Sequence, residues 1–154
     1  MSKNYFYTLT EVVSESFDIE PYTDLNVMSD DGTKVLATLT KAGELTVYPG
    51  YAWDGASPKF RIGPMIIGTW DGKWDTSIGR PELWRATLVH DVLLQIKNEH
   101  PKEMEWVTTK QIDIIFKEML EDLNFSMAKL YYWAVRAWHK VKPSGLTLSI
   151  RRRV

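Results

Sequence analysis

A histidine and an aspartate lie side by side in a stretch that is otherwise almost entirely apolar, LWRATLVHDVLLQI, residues 83–96. A helix turns by roughly 100° per residue, and this stretch would present apolar side chains on nearly every side, which is typical of a buried helix. His90 is therefore expected in the interior, with Asp91 at its margin. Because a buried polar group without a partner costs on the order of 1–3 kcal/mol, both residues require partners from the protein, from water or from a metal.

Asp113 is the candidate partner of His90. The segment that contains it predicts a second helix, with apolar side chains at helical spacing and Asp113 at the edge of the apolar arc. If the two helices pack through their apolar faces, Asp113 is carried toward His90, and a carboxylate there would fix the tautomer of the imidazole and raise its basicity. A second carboxylate nearby would create a cation site whose oxygen ligands favour calcium or magnesium. Asp91 and Asp54 are the candidate metal ligands.

The loop YAWDGASP, residues 51–58, is the second place where chemistry is indicated. Its Asp-Gly pair favours a tight turn, and the proline that follows Ser57 biases that serine away from the helical region. Such a loop can aim Asp54 or Ser57 into a cleft, so a nucleophilic triad of Ser57 with His90 and Asp113 is one hypothesis. An ordinary Asx turn is the alternative, and the spacing matches no nucleophile elbow.

The other two histidines are expected to matter less. His100 precedes a proline in a polar loop, where a solvated ring is expected. His139 is expected to end the third helix, where a cation complements the helix dipole. The segment DGKWD, residues 71–75, lacks the acidic spacing and the terminal glutamate of an EF-hand, so it does not predict a calcium loop.

The composition bounds the class of protein. A chain of 154 residues with 44% hydrophobic and 25% charged residues is expected to form one globular domain. Its net charge of −1 provides no general attraction to nucleic acid or to an anionic membrane, and no apolar stretch approaches the ~20 residues that span a bilayer. The absence of cysteine excludes disulfides and thiolate zinc sites.

The order of the elements predicts an α+β fold. Residues 1–50 contain stretches of strand propensity with turn signals between them, which predicts a small antiparallel sheet of three to five strands with one buried face. Residues 51–80 are rich in glycine, proline and tryptophan and predict a structured loop region. Residues 81–140 predict three packed helices, and residues 141–154 predict a tail or a short final strand.

Local signals predict where the helices begin. Pro81 suits the first position of the first helix. Thr108 and Gln111 fit a capping box that opens the second helix. The third helix is expected over about residues 126–140, after a left-handed cap at Asn124.

Three motifs follow one another along the chain: the strand and loop LTVYPGYAWDGASP, the helix WRATLVHDVLLQ and the helical stretch KQIDIIFKEMLEDLNFSMAKLYYWAVRAW. In this order they resemble the family known as domain of unknown function 1353, which is found mainly in tailed bacteriophages and prophages, and the resemblance covers roughly residues 40–140. The chain departs from the family pattern because Ser57 adjoins Pro58 directly, and because Ile112 and Leu94 replace an alanine and an aromatic residue. The matching positions are Asp54, Gly55, Ala56, Ser57, His90, Asp91, Asp113 and Phe116.

The resemblance implies a phage origin and a candidate site, and it implies no particular reaction. A looser similarity, limited to a few residues, connects the site with secreted phospholipases A2. In that family a histidine activates water, the adjacent aspartate holds calcium and a distant aspartate steers the histidine; these roles would fall to His90, Asp91 and Asp113. The disulfides and the glycine-rich calcium loop of that family are absent from this sequence.

Two classes of function are consistent with these residues. The first, which we favour, is a non-enzymatic phage protein in the virion or the host cytoplasm. It would be a virion-associated component of the tail, baseplate or head, or a binder of a host protein, with an internal polar network and with the exposed tryptophans of residues 51–80 as its interface. The second is a metal-assisted hydrolase in which His90 is the general base and Asp113 orients it. Asp91 and Asp54 would hold its divalent cation, calcium or magnesium.

Overall fold

The strands and the helices occupy separate parts of the chain. Antiparallel strands come first and three helices follow them, which confirms the predicted α+β fold. None of the described helices has the length and the apolar character that crossing a bilayer requires. The short final strand predicted near the end of the chain lies outside the described residues. The computed structural model describes Tyr5 and residues 7–55, 59–62, 65–68 and 71–141.

Strands in the first fifty residues are β1 (Tyr7–Thr8), β2 (Val13–Ser16), β3 (Leu25–Met28), β4 (Val35–Leu39) and β5 (Glu44–Val47). The last four form one antiparallel sheet in the order β2-β5-β4-β3. Successive side chains of a strand point to opposite faces, and in β3 and β5 every second residue is apolar and buried, so one face of the sheet is buried, as predicted. Two rows of facing residues line it: Leu25, Leu39 and Leu45, and Val27, Ala37 and Val47.

The segment 51–80, for which the sequence predicts a structured loop region, contains short paired strands. They are β6 (Ala52–Trp53), β7 (Lys59–Ile62), β8 (Met65–Gly68), β9 (Trp74–Asp75) and β10 (Arg80–Pro81). β6 pairs with β1, β7 with β8 and β9 with β10, each pair antiparallel. Three of these strands, β6, β9 and β10, have only two residues and are too short for a period of two to be recognised in the sequence.

Helices of the described chain are α1 (Trp84–Glu99), α2 (Thr109–Asp122) and α3 (Ala128–Val141). The prediction that Pro81 opens the first helix is wrong, because Pro81 pairs with Trp74 in the β9–β10 ladder and α1 begins after it. The other two boundary signals are confirmed. Thr108 and Gln111 form the capping box before α2, and Asn124 has a φ of 55°, the left-handed conformation of a helix cap.

α1 lies between the sheet and the other two helices, which explains why it is apolar on almost every side. One buried cluster joins the sheet, α1 and α2, and a second joins the start of α1 with α2 and α3. Leu83 and Ala86 belong to the second cluster. The residues that α1 contributes to the first are Leu88, Val89, Val92, Leu93 and Ile96.

Gly43 is expected to tolerate substitution less well than Gly32. Gly43 has a φ of 84°, and a Cβ placed there would collide with the backbone carbonyl oxygens of Phe17 and Ile19, whereas Gly32 has a φ of 70° with open space around it. A left-handed conformation alone costs roughly 1–2 kcal/mol, so Gly32→Ala is expected to lose about that much stability and Gly43→Ala clearly more. Urea denaturation of both variants measures the difference; equal losses would contradict the clash.

Candidate functional site

α1 is fixed beside strand β6 by two hydrogen bonds that lie on either side of His90 along the helix. The indole Nε1 of Trp53 donates to the hydroxyl of Thr87 at 3.0 Å, and the hydroxyl of Tyr51 donates to Oε1 of Gln95 at 2.8 Å. Both aromatic side chains are buried. Because these bonds hold a rigid helix at two points, they fix the place at which the His90 ring leaves α1.

The carboxylate of Asp113, on α2, is the centre of a buried polar group and is itself completely buried. His90 donates from Nε2 to Oδ1 at 2.7 Å. Arg136 donates from Nη1 at 3.0 Å and His139 from Nδ1 at 2.9 Å, both to Oδ2. We call these four residues the Asp113 cluster. It joins all three helices, since His90 lies on α1 and the other two donors lie on α3.

Helical spacing explains how each helix contributes to the Asp113 cluster. Asp113 and Phe116 are three residues apart on α2 and therefore share a face, so the His90 ring that meets the carboxylate also packs on Phe116, with ring centroids 4.6 Å apart. Arg136 and His139 have the same spacing on α3. The two imidazole rings are nearly parallel, with centroids 6.0 Å apart and an interplanar angle of 25°.

Access to the Asp113 cluster differs between its two sides. The side chain of His90 is 8% exposed, whereas those of Arg136 and His139 are each 19% exposed. The cluster is therefore nearly closed at α1 and reaches the surface at α3. Low water content around the carboxylate strengthens the hydrogen bonds that it accepts and makes the loss of any of them more costly.

Burial raises the pKa of Asp113, but the hydrogen bonds that it accepts from His139 and His90 outweigh this effect and hold that pKa well below its usual range. The carboxylate is therefore ionised at neutral pH. Arg136 places a permanent positive charge 3.0 Å from it. Since an ionised carboxylate can only accept hydrogen bonds, the ring nitrogen that each histidine turns toward Asp113 carries a proton.

For the neutral form of each imidazole, these hydrogen bonds assign the tautomer. His90 donates from Nε2 and keeps a lone pair on Nδ1, while His139 donates from Nδ1 and keeps a lone pair on Nε2. Within the described part of the chain, neither of these second nitrogens has a hydrogen-bond partner. Each ring thus retains a basic nitrogen, which is the group that a general base requires.

The structure brings together part of the site that the sequence predicts. His90 and Asp113 form the expected pair. Asp91 and Asp54 are half-buried, each has partners of its own, and neither joins the set of candidate metal ligands found among the described residues. Ser57 lies outside the described residues, so the triad of Ser57 with His90 and Asp113 stays a hypothesis.

Arg136 and His139 are the members of the Asp113 cluster that the sequence did not predict. His139 lies in the last turn of α3, as predicted, but its role is larger than expected, because its Nδ1 donates to Asp113. With His90 and Asp113 it forms a set of ligand atoms that all lie within 4.8 Å of one another. One signal was present in the sequence: a buried carboxylate accepts up to about four hydrogen bonds, and Arg136 and His139 offer donors three residues apart on the next helix.

Comparison with known proteins gives no relative. No protein-family model matches the sequence, and no curated protein or solved structure matches it either. The fold and the site define the class by themselves: an α+β protein whose three helices meet at a buried carboxylate that is bound by two histidines and an arginine. Membership in the phage family that the motifs resemble stays a prediction.

Removal of the His90 ring is expected to destabilise the protein. His90→Ala leaves Oδ1 of the buried Asp113 without its donor, which costs about 1–3 kcal/mol in the free energy of unfolding. His90→Gln is expected to lose less, because the amide nitrogen of glutamine lies near the position of Nε2. Urea denaturation measures both, with His100→Ala as the control, since the bond from that ring to the carbonyl of Asn26 is exposed. Unchanged or increased stability of His90→Ala would instead indicate that the ring is retained for a function.

Ionisation of Asp113 is expected to link stability to acid pH. Because its pKa is lower in the folded than in the unfolded protein, its stabilising effect is complete above the unfolded-state value of about 4 and is lost as the pH falls toward the folded-state pKa. The difference in unfolding free energy between the wild type and Asp113→Asn is therefore expected to shrink from about pH 4 to pH 2. A difference that stays constant over this range would show that Asp113 does not carry the linkage.

Proposed function

We propose that this chain is a non-enzymatic interaction protein of a tailed bacteriophage, acting in the virion or in the host cytoplasm. It is either a virion-associated component of the tail, baseplate or head, or a binder of a host protein. The Asp113 cluster is then a structural clamp that holds three helices and positions a binding surface on α3. The observation that carries the proposal is that the completely buried Asp113 accepts hydrogen bonds from three side chains on two other helices. The phage origin rests on the motif resemblance.

A clamp of this kind works only as a complete set. A buried carboxylate without its partners is strongly destabilising, and breaking a buried ion pair by removing one partner typically costs about 3–5 kcal/mol. Both oxygens of Asp113 are occupied, Oδ1 by His90 and Oδ2 by Arg136 and His139. The geometry of the four side chains therefore restrains the positions of α1, α2 and α3 relative to one another.

α3 carries the surface that the clamp would position. Arg136 and His139 bind Asp113 from this helix, while Leu130 and Trp133 on the same helix are 63% and 66% exposed. Tyr132 contacts Trp133 with ring centroids 5.3 Å apart, which restricts the indole before any partner binds. Tryptophan is enriched among the residues that contribute most to protein–protein binding, so this exposed face of α3 is the proposed interface.

The sequence predicts an interface made by the exposed tryptophans of residues 51–80, and the described tryptophans of this segment differ in exposure. Trp53 is 1% exposed and belongs to the first hydrophobic cluster, so it is not one of them. Its pairing with Thr87 explains the burial, because the indole nitrogen has a partner inside the protein. Trp74 is 60% exposed, and Trp70 lies outside the described residues. We place the proposed interface on α3 instead, because two exposed apolar side chains, Leu130 and Trp133, lie three residues apart on that helix.

A metal-assisted hydrolase is the second candidate, and one observation favours it. Asp113 orients the His90 ring so that Nδ1, on the other side of the ring, keeps its lone pair, as in a general base. A general base must come within hydrogen-bonding distance of its substrate, and the His90 side chain is only 8% exposed, which is why this candidate is second. His90→Gln would abolish hydrolysis and leave binding through α3 intact.

Trp133→Ala is expected to weaken partner binding without destabilising the fold. Loss of an exposed side chain changes stability by no more than about 0.5 kcal/mol. Loss of an interface tryptophan costs about 2 kcal/mol or more in binding, which is roughly thirtyfold in Kd. Co-sedimentation of the tagged protein with purified particles of the phage that encodes it measures the first form of the proposal, and titration with a captured host protein measures the second.

Trp74→Ala is the matched control, because Trp74 is also an exposed tryptophan but lies in strand β9. We expect it to bind like the wild type. Wild-type binding by Trp133→Ala would contradict an interface on α3. Absence of the wild-type protein from particles, together with the absence of any saturable host partner, would contradict the proposed function itself.

A further inference from the structure

Three side chains of the Asp113 cluster have the composition of a transition-metal site. His90, Asp113 and His139 each place a ligand atom within 4.8 Å of the other two. Imidazole nitrogen suits zinc, iron, nickel and copper ions, whereas calcium and magnesium prefer sets made of oxygen. We propose that this cluster binds one divalent transition-metal ion, of which Zn²⁺ is the reference case, through two imidazole nitrogens and the carboxylate.

The distances inside the cluster are close to those between ligands of a single ion. Nε2 of His90 lies 2.7 Å from Oδ1 of Asp113, and Nδ1 of His139 lies 2.9 Å from Oδ2. Two ligands that are each about 2.1 Å from a tetrahedral ion are about 3.4 Å apart, so the two atoms of each pair must move apart by roughly half an ångström or slightly more. The ligand atoms of the two histidines lie within 4.8 Å of each other, and binding of one ion requires their side chains to rotate toward each other.

Metal binding requires each imidazole to turn a lone pair toward the ion. In the hydrogen-bonded state the nitrogens that face Asp113 carry protons. When the ion binds, these protons pass to solvent, and each ring takes up one proton on its other nitrogen, Nδ1 in His90 and Nε2 in His139. Each ring is neutral in the metal-bound state, and the carboxylate is already ionised. Among the described residues, no hydrogen bond to those other nitrogens has to break.

Arg136 is the residue that opposes the ion. Its guanidinium lies 3.0 Å from Oδ2 of Asp113 and supplies the positive charge that balances the carboxylate in the hydrogen-bonded state. A second cation next to the same oxygen is repelled by it, so Arg136 weakens metal binding. The Arg136 side chain is 19% exposed, and it lies on the side of the cluster from which an ion would arrive.

A bound ion would replace the hydrogen bonds from His90 and His139 to Asp113 and would link the same three side chains. Its three ligands come from α1, α2 and α3, so the ion joins all three helices. An ion that binds the folded state and not the unfolded chain raises stability in proportion to its occupancy. This inference goes beyond the proposed function and does not depend on which partner α3 binds.

Titration of the EDTA-treated full-length protein with ZnCl₂ and CoCl₂ tests the proposal. We expect one saturable site by calorimetry, visible absorption bands of bound Co²⁺, and an increase in Tm with either ion. His90→Gln and His139→Asn keep amide donors near the positions of Nε2 and Nδ1, so they preserve the hydrogen bonds to Asp113 and remove a metal ligand. Each is expected to weaken metal affinity by more than about a hundredfold.

Three further variants separate this site from its alternatives. His100→Ala is the control and is expected to bind the ion like the wild type, because that ring contacts the carbonyl of Asn26 and not the cluster. Asp91→Asn is also expected to bind normally; a loss of affinity there would move the site to the other face of α1. Arg136→Gln removes a charge and keeps a donor, so it is expected to tighten binding by about threefold or more.

A measurement on the wild-type protein covers the case in which a histidine variant does not fold. Zn²⁺ is expected to protect His139 from diethyl pyrocarbonate, with His100 as the unprotected reference, as read by mass spectrometry of the modified chain. Absence of a saturable site, binding that survives both His90→Gln and His139→Asn, or equal modification of His139 with and without Zn²⁺ would overturn the proposal. None of these results would affect the α3 interface, whose separate test is Trp133→Ala.

Discussion

The burial of one carboxylate is the constraint on which the rest of the structure depends. Asp113 lies where three helices meet, and a charge there without partners would cost several kcal/mol. Donors must therefore come from both neighbouring helices, from His90 on one side and from Arg136 and His139 on the other. Apolar packing alone tolerates small shifts of helices, but hydrogen bonds of 2.7–3.0 Å do not. The hydrophobic clusters favour the packing of the three helices, and the hydrogen bonds to the carboxylate fix their relative positions.

Parts of this arrangement could be predicted because the deciding residues are close together or share a period. Thr108 and Gln111 are three residues apart, and their capping box needs no information from elsewhere in the chain. The pairing of His90 with Asp113 follows from two apolar arcs that must face each other, each with one polar residue inside or beside it. Pro81 could not be assigned in this way, because a proline suits both the start of a helix and the end of a short strand. Only its pairing with Trp74 shows that it belongs to a strand.

The hydrogen bonds from Arg136 and His139 to Asp113 could not be predicted from the sequence, because α3 presents two conflicting signals. A cation near the end of a helix is favourable without any partner, so nothing in the local sequence requires a carboxylate for His139. Leu130 and Trp133 add exposed apolar residues to the same helix, which obscures the side that packs. The packing of α3 on α2 resolves both questions, and that packing is set by residues distant in the sequence. The burial of Trp53 could not be predicted for a related reason, since its partner Thr87 lies on another element.

α1 contributes to both hydrophobic clusters, and this determines how the molecule loses its structure. The sheet packs on one side of this helix, and α2 with α3 packs on the other. If either the sheet or the pair of α2 and α3 moved away from α1, apolar side chains on both sides of the gap would be exposed to water. The sheet and the three helices are therefore expected to melt as one cooperative unit. A core that seldom opens in part offers few of its own segments to proteases and few unpaired strands to other copies of the protein.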